Sequence, residues 1–96
     1  MSAKANINHE LEVELELHEL GAVRHLRYLD HIMTDVLDSA RPSGTDGFVV
    51  LAGGRFAFEH LVGELAHAVN HSHRWSAGVE ALNSAADAIE LALADH

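Results

Sequence analysis

The chain has 96 residues, enough for one hydrophobic core and too few for a second. Fifteen Asp and Glu against six Lys and Arg leave a formal net charge of −9. That balance argues against nucleic acid and against anionic membrane surfaces, both of which call for a basic cluster. No cysteine is present, so disulfides and thiolate metal sites are excluded as well.

Hydrophobic residues make up 48% of the chain but aromatic residues only 5%. Such a core is built mainly from Leu, Val, Ile and Ala, which favours helices packed closely through small side chains. No apolar run reaches membrane-spanning length, and MSAKANINHE lacks the apolar centre of a secretory signal. The expectation is a soluble cytoplasmic protein. Nine histidines add a pH-dependent element, because their protonation near pH 6 cancels much of the negative charge.

Met1 to Ile7 reads as a frayed end, with Asn6 or Asn8 available to cap a helix. Glu10 to Leu17, ELEVELEL, is ambiguous. Strict alternation of Glu with Leu or Val is a strand pattern, whereas Glu and Leu are strong helix formers and Glu is depleted in strands. Downstream, Leu11, Leu15, His18, Ala22, Leu26, Leu29, Met33 and Val36 form one unbroken three-and-four series. That series favours a single long helix from about Asn8 to Ala40. Pro42 and the PSGTDG loop end it.

Phe48 to Ala52, FVVLA, is a short apolar run that reads as an extended segment only if it finds a strand to pair with. Gly53 and Gly54 break the chain, and a second helix follows from Arg55 to Asn70 or His71. Ser76 is a good N-cap for a third helix that reaches about Asp95. Val79, Leu82, Ala86, Ile89 and Leu93 give that helix an apolar seam, and Ala81, Ala85, Ala88 and Ala92 beside it permit close packing.

The second helix carries two stripes. Phe58, Val62, Leu65 and Val69 recur at core spacing, to be buried with the seam of the third helix and with Leu26, Leu29 and Met33. His60, Glu64, His67 and His71 follow the same steps two residues later, about 200° around the helix. Residues at i, i+3 and i+4 are neighbours, so Glu64, His67 and His71 can converge on one ion, with His60 a turn away. Imidazole with carboxylate suits Zn²⁺, Ni²⁺ or Fe rather than Ca²⁺ or Mg²⁺. A solvated polar face explains the same pattern, and His73 stands just beyond as a further ligand or a bystander.

Other features carry less chemistry. His18, in H-E-L-G, sits where a phosphorylatable histidine of a relay helix stands, yet a histidine satisfied by a neighbouring carboxylate accounts for it. Glu10, Glu12, Glu14, Glu16 and Glu19 form an acidic run that suits a basic partner or a solvated face. Serines occupy no nucleophile turn, and no catalytic residues are assigned. Trp75 is expected to plug the turn between the second and third helices.

Residues 1–96 are thus read as a single all-α domain: a long N-terminal helix and a two-helix hairpin, with a short extended segment near 48–52. Apolar residues on several flanks of the long helix suggest a dimeric helical bundle, that is, a homodimer. The function expected is a small acidic interaction or regulatory module without catalytic activity, with a protein partner. The competing reading is a metal-binding helical protein using His60, Glu64, His67 and His71, and behind it a histidine phosphotransfer module.

Overall fold

A computed structural model describes residues 10–72 and 74–95. It corrects the all-α expectation: four helices pack with a three-stranded antiparallel sheet, so the architecture is mixed α and β, not a helical bundle. The elements run β1 (Leu11–Glu16), α1 (Leu17–Arg24), α2 (His31–Asp38), β2 (Arg41–Pro42), β3 (Phe48–Gly53), α3 (Arg55–Asn70) and α4 (Ala77–Ala94). The caps proposed at Asn6 and Asn8 lie outside the described residues, as does His73.

The long helix resolves into three elements, each with a local cause. Within ELEVELE the period-two pattern wins. Leu11, Val13 and Leu15 are buried, whereas Glu12, Glu14 and Glu16 between them face solvent. FVVLAG supplies the partner that a lone strand lacks, pairing from Leu11 opposite Gly53 to Glu16 opposite Phe48. Val49 and Leu51 complete the buried face of the sheet. Gly53 keeps this approach close: a Cβ at that position would meet the Val36 side chain at 3.3 Å, so the valine would have to shift.

At Glu16 the chain turns from strand to helix through a reciprocal capping box. The Glu16 side chain accepts from the Glu19 N–H, and the Glu19 carboxylate accepts from the Glu16 N–H at 2.9 Å. After one short helix the chain leaves helical geometry at His25, and Asp30 starts α2 afresh by accepting the Met33 N–H at 2.9 Å. The three-and-four series runs straight across this break, which is why periodicity alone does not reveal it. Arg24 donates to the Leu37 carbonyl at 3.0 Å and so ties α1 to the end of α2.

The second half follows the sequence reading closely. α3 spans Arg55–Asn70, and α4 begins at Ser76, whose hydroxyl accepts the Val79 N–H at 3.2 Å. Arg55 donates to the Leu93 carbonyl at 3.1 Å, closing the hairpin at its open end. Leu82, Ala86, Ile89 and Leu93 are buried and Val79 is half-buried. On α3 the core face is centred on Phe58, Leu61 and Leu65, with Val62 and Val69 half-buried at its margin. Met33 is buried with them, whereas Leu26 and Leu29 are half-buried. Trp75 does not plug the turn: it is 63% exposed.

Of the apolar residues flanking the seam of that expected helix, Val13, Leu20, Val23 and Leu37 are buried within one chain, whereas Leu17 and Tyr28 are exposed. Among the described residues, no helix is long and apolar enough to cross a membrane.

Candidate functional site

The polar stripe of α3 does not simply face solvent. The segment His25–Asp30, between α1 and α2, meets it at two places. At the upstream part, His60 Nε2 lies 2.5 Å from an Asp30 carboxylate oxygen, and both side chains are largely covered. The Met33 N–H, bound to the same carboxyl group, holds Asp30 below the usual carboxylate range; partial burial opposes this and the His60 contact reinforces it. His60 therefore has a partner that sequence spacing did not suggest, and it serves to join α3 to the N-terminus of α2.

The downstream part is open. His25, Glu64 and His67 line a groove of about 450 Å³ together with Arg27, Tyr28 and Ser72 and the apolar Leu26, Ala68 and Leu82. Glu64 is half-buried, and His67 and His71 are exposed. The imidazoles of His67 and His71, one helical turn apart, have ring centroids 4.0 Å apart and tilted by 35°. His71 Nδ1 lies 3.0 Å from the His67 carbonyl, and His25 Nδ1 lies 2.7 Å from the Gly21 carbonyl. A carbonyl only accepts, so each Nδ1 carries the proton, and in the neutral ring Nε2 keeps its lone pair. Sequence reasoning missed His25 because it was placed inside a continuous helix. The signal that would have found it is Asp30, a good N-cap three residues before Met33.

Two further clusters carry titratable groups. Among the described residues, the three donors whose ligand atoms gather within 4.8 Å of one another are Glu16, His18 and Glu19. Glu19 is 7% exposed, and its carboxylate is already engaged by the Glu16 N–H. His18 is exposed and lies 3.5 Å from Glu16. This group caps α1, as the capping box requires, and that role accounts for its geometry.

The second cluster is the solvent face of the sheet. Glu12, Glu14 and Glu16 project from β1 beside Phe48, Val50 and Ala52 of β3, which are half-buried. Arg41 on β2 reaches across β3 to Glu12, with Nη2 2.7 Å from the carboxylate. Among the described residues Glu14 has no such partner, and no strand pairs with the outer side of β1, which is an edge of the sheet.

Comparison with known protein families, with curated proteins and with solved structures gives no match.

Proposed function

We propose that this domain is an acidic, non-catalytic interaction module, acting in the cytoplasm, whose β1 edge receives an extended basic segment of a partner protein. The observation that carries this reading is an edge strand whose solvent-facing side chains are all glutamates. An open edge offers main-chain donors and acceptors to an added strand, which supplies affinity, while the alternating side chains supply selectivity. Opposite charges paired across strands contribute roughly 0.2–1 kcal/mol each, and like charges oppose pairing by similar amounts. Glu12, Glu14 and Glu16 therefore favour Lys or Arg in alternate positions and disfavour a second copy of this chain on the same edge. Arg41 shows the geometry within the molecule, with a guanidinium laid over the apolar centre of the sheet against a β1 carboxylate. A homodimer would have to form through another face.

The test titrates ¹⁵N-labelled protein with a peptide of alternating Lys and Val, and separately with the same residues arranged in blocks. The expected result is saturable binding of the alternating peptide, with the largest amide shifts in Leu11–Glu16 and weakening in Glu14→Lys. Equal response to both peptides, or shifts spread over the surface, would reduce the effect to bulk charge and overturn the reading.

A further inference from the structure

The open end of the α3 stripe carries chemistry that the sheet edge does not use. We propose that Glu64, His67 and His71, with His25 across the groove, form a binding site for a divalent transition ion of the Zn²⁺ or Ni²⁺ type. Three observations converge. Glu64 and His67 on α3 and His71 at its C-terminal cap stand at i, i+3 and i+7, and the two imidazole centroids lie 4.0 Å apart with the rings tilted by 35°. His25 and His71 each hold the Nδ1 proton on a backbone carbonyl, at 2.7 Å and 3.0 Å. That is how metal-binding histidines are commonly fixed, with Nε2 presented as the ligand. His25, Glu64 and His67 line the same groove from two different elements. An ion entering it gathers donors from the end of α1 and from α3.

The donor set defines the class of ion. Imidazole nitrogens with one carboxylate oxygen suit borderline ions and are poor for Ca²⁺ and Mg²⁺, which demand oxygen ligands. The set differs from the four-residue stripe read in the sequence: His60 is occupied by Asp30, and His25 takes its place. Exposed His67 turns onto the ion to join the Nε2 atoms that His25 and His71 present, and the net charge of −9 favours a cation over an anion.

The test is calorimetric titration of tag-free protein at pH 7.5 with ZnCl₂, in the wild type and in three variants. Wild type should bind one Zn²⁺ with Kd of about 10 µM or tighter, near −7 kcal/mol. His67→Ala with His71→Ala should weaken binding at least tenfold. His25→Ala should weaken it less, and His31→Gln, on exposed α2 surface, should leave it unchanged. Absence of saturable binding at that strength, or equal loss in His31→Gln, would mean ordinary surface histidines and overturn the proposal. If the double variant does not fold, long-range ¹H–¹⁵N spectra of the wild-type imidazoles decide. Zn²⁺-dependent shifts at Nε2 of His25 and His71 support the site, whereas shifts at other histidines alone refute it.

Discussion

The Asp30 carboxylate accepts the Met33 N–H at 2.9 Å with one oxygen and meets His60 Nε2 at 2.5 Å with the other. One side chain thus starts α2 and holds it against α3, at the point where the long helix read in the sequence is interrupted. The arrangement has a pH signature. The Asp30 carboxyl is held below its ordinary range, first by the Met33 N–H and then by His60. A carboxylate with a lowered folded-state pKa contributes stability that is fully present above its unfolded value, about 3.9. That contribution is lost as pH falls through the lower folded value. Asp30→Asn keeps a competent N-cap but removes the charge. It should melt below wild type at pH 6, and the gap should narrow as pH falls below about 4, the unfolded carboxylate value. Thermal melts across that range check this, and a gap that widens on acidification would contradict it.

The core face of α3 can be located by truncation. Leu61 and Leu65 are fully buried, so Leu61→Ala and Leu65→Ala should each cost roughly 2–5 kcal/mol in denaturant unfolding. Val62 is half-buried, and Val62→Ala should cost clearly less than either. The sequence stripe assigned Val62 to the centre of that face and did not include Leu61. A larger loss at Val62 than at Leu61 would restore the sequence assignment.

How far the sequence could be read depends on how many patterns each segment satisfies. For α3 and α4 there is one: Ser76 caps, the glycines before Arg55 break the chain, and the spacing of Leu82, Ala86, Ile89 and Leu93 fits only a helix. ELEVELE satisfies two, because residues alternating along a strand also recur at i+4. Helix propensity favoured the helix, and the strand is secured by pairing with β3, thirty-odd residues away and invisible to local pattern. The site shows the same division. Glu64, His67 and His71 are neighbours within one helix and could be grouped by spacing. Asp30 and His25 reach the stripe through tertiary packing, which spacing does not encode.

Charge predicts a response to salt. A net charge of −9 on a chain of this size opposes compaction, and this repulsion is long-ranged at low ionic strength. Raising NaCl from about 10 mM to 100 mM shortens the screening length from about 30 Å to about 10 Å. The Arg41–Glu12 pair weakens too, but an exposed pair is worth only about 0–1 kcal/mol, so the relief of repulsion should prevail. The melting temperature should rise with NaCl. Glu14→Lys, which moves the net charge two units toward zero, should rise less steeply. A wild-type melting temperature that falls with salt would show that attractive pairs outweigh the repulsion.

The last expectation concerns why β1 can remain an open edge. If two copies met edge to edge in antiparallel fashion about Glu14, then Glu14 would face Glu14 and Glu12 would face Glu16 of the other copy. Every solvent-side cross-strand pair would join like charges. The buried alternate positions, Leu11, Val13 and Leu15, are already committed to the core and offer the partner nothing. The glutamates therefore serve as the charge that keeps an exposed edge from pairing with itself. Replacing Glu12 and Glu14 with Val leaves an unbroken apolar run from Leu11 to Leu15 on that edge and removes most of the repulsion. In sedimentation at rising concentration, the variant's mass should climb above that of wild type. A valine variant with the same mass as wild type at every concentration would mean that some other part of the chain protects the edge, and the charge argument for β1 would fail.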